Sequence, residues 1–259
     1  MLLSRPYRYL SLLIVSVLLA SCHAHYNIRS TRTERHVIVM DSAHVPVDDP
    51  EAIATLQPYK VKIDSMMNQV LAYSKRPLIK DLPEGLLNNF IADIILQKGR
   101  EYYKSTDGAT VDMCLLNNGG LRSTLPKGAI TKNSVFQLMP FENKMIVITI
   151  TGDNAAKLFN SIAKKGGMPV AGIKMGIQGD TATNILIGGK PFDRKQNVRI
   201  VTSDYLADGG DDFGFFSKPI EYKLLEPKIR DAIIEYLLEE SAKGNEVDGV
   251  LDKRIYYEK

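Results

Sequence analysis

The body of this chain has no histidine. All four, His23, His25, His36 and His44, fall within the first 44 of its 259 residues. Imidazole, a frequent metal ligand and the side chain that titrates near neutral pH, is therefore excluded from everything downstream. Cysteine is almost as scarce, with only Cys22 and Cys114. If Cys22 is used elsewhere, no intramolecular disulfide can form and stability has to come from packing. An excess of one charge is also missing. Thirty-three basic against 30 acidic residues leave a formal charge of +3, with no dense basic stripe, which argues against nucleic acid as the main partner. No internal repeat or low-complexity tract is present, and the longest apolar run, Leu10 to Ala20, is short for a bilayer span.

What is present begins with that run. Arg5 and Arg8 precede it and Leu19-Ala20-Ser21-Cys22 follows it: a charged segment, an apolar segment, then small residues ending in cysteine. The Leu-Ala-Ser-Cys box resembles a bacterial lipobox, which makes residues 1–21 an export signal and Cys22 the acylated first residue of the mature chain. Several acyl chains on one residue anchor stably where a single chain holds only marginally. The expected product is an exported, membrane-anchored lipoprotein facing the periplasm or the cell surface. Residues 22–48 are polar and mixed in charge and serve as a tether, with one β-branched patch, Val37-Ile38-Val39, as a candidate edge strand. His23-x-His25 has metal-pair spacing, but in a flexible tail it is assigned no metal. The roughly 210 residues that remain, 49–259, fit a single domain.

In that domain Ile63, Met66, Met67, Val70 and Leu71 recur at helical spacing, with Pro58 starting or kinking the segment. A second helix carries Leu87, Phe90, Ile91, Ile94 and Ile95 and ends near Lys98-Gly99, with Asp93 at the edge of its stripe. Val111 to Leu116 is a buried strand. Met145 to Thr151 alternates as a strand with one face on the core, and Gly152-Asp153 opens a helix that Lys164-Lys165-Gly166 closes. Short strands follow at Ile173–Ile177, Asn184–Ile187 and Val198–Ser203. A last helix starts at Glu226-Pro227 and buries Ile229, Ala232, Ile233, Tyr236 and Leu237. Helices and strands mix without regular βαβ alternation, so the expected fold is α+β, one domain with a mixed sheet flanked by helices.

Two loops combine turn glycines with groups suited to a ligand. After the Val111–Leu116 strand comes Asn117-Asn118-Gly119-Gly120-Leu121-Arg122, and further on Pro140-Phe141-Glu142-Asn143. A guanidinium after a sharp turn can pair with a phosphate or carboxylate, although the same residues also fit a plain turn with a solvated arginine. After the Val198–Ser203 strand comes Tyr205-Leu206-Ala207-Asp208-Gly209-Gly210-Asp211. The Asp211 carboxylate can accept hydrogen bonds from a diol such as a ribose. Taken singly, Tyr205 also fits a half-buried core position and Asp211 a turn.

Taken together, NNGGLR, KGAIT, MPFEN, ITITGDN, GGMP and TSDYLADGGDDF occur in the order and approximate spacing of the carboxy-terminal domain of bacterial 5′-nucleotidases and UDP-sugar hydrolases. The resemblance covers roughly residues 50–259. It implies that Phe141 and Tyr205 sandwich a nucleobase, Asn143 reaches the base edge, Asp211 holds the ribose hydroxyls, and Arg122 lies toward ribose and phosphate. Gly166 matches a position where backbone approaches the ligand. Two departures stand out. Upstream of the second helix only Arg76 and Lys80 are available where some members carry more arginines, and Tyr205 stands where phenylalanine is commoner.

Full-length members of that family begin with a metallophosphatase domain whose two metals are held by Asp, His and Asn. This chain carries no such motifs. No cofactor is expected in it and no catalytic residue is assigned; a divalent metal is expected only on a partner. The leading expectation is a nucleotide- or nucleoside-recognition component of a 5′-nucleotidase-type hydrolase in nucleotide catabolism, working with a separate metallophosphatase. The rival is a non-catalytic nucleoside- or nucleotide-binding lipoprotein for uptake or sensing. A third reading is a degenerate domain kept as an interaction surface.

Overall fold

A computed structural model describes residues 49–216 and 218–258. The export signal over 1–21, Cys22, the tether over 22–48, the Val37–Val39 patch and all four histidines lie outside the described residues. Contacts divide the chain between Ile53 and Ala54, and the later unit carries the sheets and the site. The described elements begin with α1 (Pro50–Met67), β1 (Val70–Ser74), α2 (Leu86–Tyr102), β2 (Met113–Leu115), β3 (Gly128–Thr131), α3 (Lys132–Leu138), β4 (Lys144–Ile150) and α4 (Gly152–Lys164). They continue with β5 (Val170–Ala171), β6 (Ile173–Gln178), β7 (Thr181–Ile187), β8 (Lys190–Pro191), β9 (Val198–Ser203), α5 (Asp204–Ala207), β10 (Glu221–Lys228), α6 (Ile229–Ala242) and β11 (Ile255–Tyr257).

The class is α+β, as expected, but the strands divide among three sheets. The central one runs β10-β4-β9-β2-β5, with β2 and β9 parallel and the other neighbours antiparallel. A second runs β11-β6-β7-β8, and β1 pairs with β3 alone. The chain changes sheets at Gly172, between β5 and β6. Its φ is +81° and a Cβ there would stand 2.4 Å from the Asp112 carbonyl oxygen, so only glycine permits the turn and the approach.

Both faces of the central sheet are covered. Cys114, Met145, Val147 and Val201 point toward α2 and α6, while Met113, Leu115, Ile146, Ile148, Ile150, Val198 and Ile200 point toward α4. The expectation of one core face for the Met145–Thr151 strand is thus corrected. The alternation is apolar against apolar because helices pack on each side. Cys114 lies fully inside, and burial pushes its thiol well above the ordinary range.

Helix α2 buries the expected stripe but runs past Lys98-Gly99 to Tyr102. Gly99 serves close approach instead of termination: a Cβ on it would stand 2.9 Å from Val201 Cγ2, so its absence lets the helix lie on β9. Asp93 sits exposed at the stripe's edge and is also paired, its two oxygens taking Arg254 at 2.7 and 3.0 Å. Helix α6 begins at Ile229, and Glu226-Pro227 belong to the end of β10. Proline is tolerated there because β10 is an edge strand whose register breaks between Leu224 and Lys228. The first stripe is also corrected. No residue of α1 is buried, Pro58 lies inside the helix, and Val70 and Leu71 belong to β1. Periodicity reports an apolar face without saying that anything covers it. No helix among the described residues is long and apolar enough to cross a membrane.

Candidate functional site

Three loops meet at one end of the central sheet. The parallel strands β2 and β9 end at Leu115 and Ser203, and antiparallel β4 starts beside the end of β9, with Met145 opposite Ser203. The segments after β2, before β4 and after β9 therefore share the crevice at the carboxyl ends of a parallel pair, where ligands commonly bind in sheets of this kind.

Each loop is held from behind. In the first, Asn117 folds over a single turn at Asn118–Gly120, and a Cβ on Gly120 would meet Asn117 Oδ1 at 2.7 Å. The Asn118 amide donates to the Gly167 carbonyl at 2.9 Å and accepts from Asn88 at 3.1 Å. The Lys80 ammonium donates to the carbonyls of Asn118 and Leu121 at 3.2 and 3.1 Å. In the second loop, the buried Arg230 donates to the Met139 carbonyl at 3.2 Å, ion-pairs with Glu142, and lies 4.0 Å from the Phe136 ring centre. The Ile229 N–H donates to the Asn143 carbonyl at 3.0 Å. In the third, Ser203 caps α5 by accepting from the Leu206 N–H at 3.2 Å. Left-handed backbone follows at Gly209, Asp211 and Asp212, with φ of 97°, 53° and 68°.

The loops enclose a pocket of about 310 Å³ whose lining includes Phe141, Asn143, Tyr205 and Asp211 beside Asn117, Gly119 and Gly120. Phe141 and Tyr205 are 47% and 46% exposed, so the rings are available instead of packed inward. The Tyr205 hydroxyl donates to Asp211 Oδ1 at 2.8 Å. That bond, with some burial, holds the phenol above its ordinary pKa. The Asn143 side-chain amide has no hydrogen-bond partner among the described residues. Such a surface can stack a planar ring, read its edge with an amide and accept hydroxyls on a carboxylate.

Two residues singled out from the sequence do not line this pocket. Arg122 is exposed, donates its backbone N–H to the Leu138 carbonyl at 2.8 Å, and its guanidinium has no partner among the described residues. Gly166 ends α4: at φ +72° its N–H reaches the Ala163 carbonyl, and the Gly167 N–H reaches that of Ile162, a capping geometry that favours glycine. Sequence reasoning missed Asn117, Arg230 and the Lys80–Asn118 support. Only the Asn-Asn-Gly-Gly run signalled the first, and Arg230 is 88 residues from its Glu142 partner.

Among the described residues, one carboxylate cluster has oxygens close enough to share a cation: Glu101, Glu235 and Glu239, within 4.8 Å of one another. The Lys98 ammonium already sits among them, at 2.9, 3.0 and 2.7 Å. Burial opposes its charge, but the three hydrogen bonds outweigh that and raise its pKa. A divalent ion does not fit there beside it.

The fold recurs in known proteins. A family model described as "5′-nucleotidase, C-terminal domain" matches residues 70–218, more than half the chain and all three pocket loops. A 5′-nucleotidase of Vibrio parahaemolyticus is 28% identical over 178 residues, 64% of this chain and 30% of that protein. Cell wall protein Lmo0130 of Listeria monocytogenes is 24% identical over 232 residues, 79% of this chain and 29% of its own length. The crystal structure of a 5′-nucleotidase precursor from Thermus thermophilus superposes with a TM-score of 0.66 at 25% identity, over 80% of this chain and 43% of that one. The chain thus spans about 30% of the curated relatives' length. Matched over residues 70–218, which carry the three loops at the end of the central sheet, it belongs to the 5′-nucleotidase C-terminal domain family.

Proposed function

We propose that this protein recognises a nucleoside or nucleotide in the pocket at the ends of β2 and β9, as the binding component of a 5′-nucleotidase-type hydrolase whose metals are held by a separate metallophosphatase. The observation that carries the reading is the pair of exposed rings, Phe141 and Tyr205, on one pocket of about 310 Å³ with Asn143 and Asp211. That volume lies in the range of small-molecule sites. The partner is inferred from the sequence: all histidines precede residue 45, and the one carboxylate cluster among the described residues is filled by Lys98. Arg122, exposed and without a side-chain partner among the described residues, is proposed to meet a phosphate beyond the pocket rim, and Gly166 to act from outside the pocket by shaping the adjoining loop. Export is supported by the amino-terminal signal and by relatives described as a cell wall protein and a precursor. Anchoring through acylated Cys22 belongs to the same proposal, and loss of palmitate labelling in Cys22→Ser tests it.

Calorimetry with adenosine, AMP and UDP-glucose tests the binding. Stacking on an aromatic contributes about 1–3 kcal/mol per base. Phe141→Ala or Tyr205→Ala should therefore weaken binding roughly 5- to 150-fold. Absence of binding heat with all three ligands overturns the reading. AMP hydrolysis with Mn²⁺ or Co²⁺ tests the division of labour: turnover only on mixing with a metallophosphatase supports it, and robust turnover by the chain alone refutes it. Binding with no effect on any phosphatase would favour capture for uptake or sensing.

A further inference from the structure

The Asp211 carboxylate occupies an unusual place. Its backbone is left-handed, φ 53° and ψ 34°, a region that non-glycine residues adopt at a cost. Left-handed Gly209 precedes it and left-handed Asp212 follows it. Nothing regular holds this loop, which forms only a single turn over Gly210–Asp212.

One side chain does fix it. The Tyr205 hydroxyl donates to Asp211 Oδ1 at 2.8 Å, while Oδ2 makes no hydrogen bond among the described residues. Tyr205 is itself placed from two sides. Its backbone N–H donates to Asp204 Oδ1 at 2.9 Å, and its ring lies so close to Gly210 that a Cβ there would stand 2.5 Å from Cζ. The ring that faces the pocket and the carboxylate that faces it are thus one unit joined by a phenol. An ionised carboxylate has about four acceptor positions, so the tyrosine uses one and leaves the others for a ligand. The phenol oxygen, whose O–H is engaged as donor to Asp211, can still accept from a hydroxyl.

We propose that the Tyr205 hydroxyl is a positioning group that holds the Asp211 carboxylate for a vicinal diol, so that the pocket selects a ribonucleoside over its dideoxy counterpart through both residues. The inference rests on the nucleoside reading above and deepens it. It assigns two functions to Tyr205: the ring stacks on the base, and the hydroxyl supports recognition of the sugar. Removing the hydroxyl alone separates them.

The experiment is calorimetry of the purified wild-type protein, Tyr205→Phe and Asp211→Asn with adenosine, 2′,3′-dideoxyadenosine and adenine, with melting temperatures recorded alongside. Loss of one orienting hydrogen bond to a charged group corresponds to about a tenfold change in affinity. Tyr205→Phe should therefore bind adenosine about tenfold more weakly while adenine and dideoxyadenosine stay within roughly twofold. Asp211→Asn should reduce the preference for adenosine over dideoxyadenosine at least as far. Adenosine binding by Tyr205→Phe that is unchanged or tighter overturns the proposal, as does an equal loss for all three ligands, which would mean a displaced ring. If these failures occur while Phe141→Ala still weakens binding, only this inference falls. If the wild-type protein binds none of the three, the nucleoside reading falls with it.

Discussion

Lys98→Met tests a buried cation held by three carboxylates. The Lys98 side chain is 0% exposed and its ammonium contacts three carboxylates, whose own side chains are 43%, 38% and 39% exposed. Removing the cation leaves three anions with oxygens within 4.8 Å of one another. Breaking a buried ion pair by deleting one partner costs about 3–5 kcal/mol. Here the glutamates can regain water, so the loss should be near the lower bound, about 3 kcal/mol. In a domain of this size that is a fall of roughly 6–12 °C in Tm. The pH dependence follows from the shifts. Burial alone would raise Glu101 and Glu235, but hydrogen bonds from Lys98, Gln97 and Tyr102 hold both below the ordinary carboxylate range. Their contribution is present above the unfolded-state pKa of about 4.3 and is lost as pH falls through the folded values. Lys98 is raised, so its contribution is full below about pH 10.4 and is lost at higher pH as the amine deprotonates. In the variant, protonating the glutamates relieves their repulsion, so the gap to the wild-type protein should narrow below about pH 5. Urea unfolding at neutral and acidic pH measures both quantities. A loss under about 1 kcal/mol at pH 7, or a gap that ignores pH, refutes the reasoning.

Other outcomes follow from the same contacts. Gly99→Val should lose about 1–3 kcal/mol by overpacking against Val201, whose Cγ2 would stand 2.9 Å from the new Cβ; urea unfolding reads it. Arg230→Ala removes the clamp on Met139 and Glu142 and should cost about 3 kcal/mol in stability. It should also weaken adenosine binding at least tenfold by freeing the Phe141 loop, as calorimetry would show. Asp93→Ala takes two hydrogen bonds from Arg254 but leaves it Asp252 and the Val170 carbonyl. About 1–3 kcal/mol of stability should be lost, measured by thermal unfolding.

Much of the candidate site is legible in the sequence because its residues sit beside strong local signals. Phe141 and Asn143 precede the alternating run of β4, and Tyr205 and Asp211 follow the apolar run of β9 around a pair of glycines. Such signals depend only on neighbours in the chain. They also place α4 at Gly152–Lys164 and β9 at Val198–Ser203. Elements whose limits depend on distant partners are misread. Lys98-Gly99 has the look of a helix end, yet Lys98 is satisfied by glutamates on α6 and Gly99 by the surface of β9. Glu226-Pro227 has the look of a helix start, yet an edge strand claims both. Arg122, singled out by its turn and by the resemblance, is placed by the fold outside the pocket lining.

The sequence by itself determined the α+β class, the absence of imidazole and disulfide chemistry from the domain, and the order of the blocks that mark the family. Each of these is a property of composition or of short-range pattern. Only the tertiary structure decided that three loops from separated parts of the chain share one pocket, that Tyr205 donates to Asp211, and that Arg230 and Lys80 support loops far from them in sequence. Those facts depend on strand register and on the parallel pairing of β2 with β9, which long-range packing selects and no local periodicity encodes.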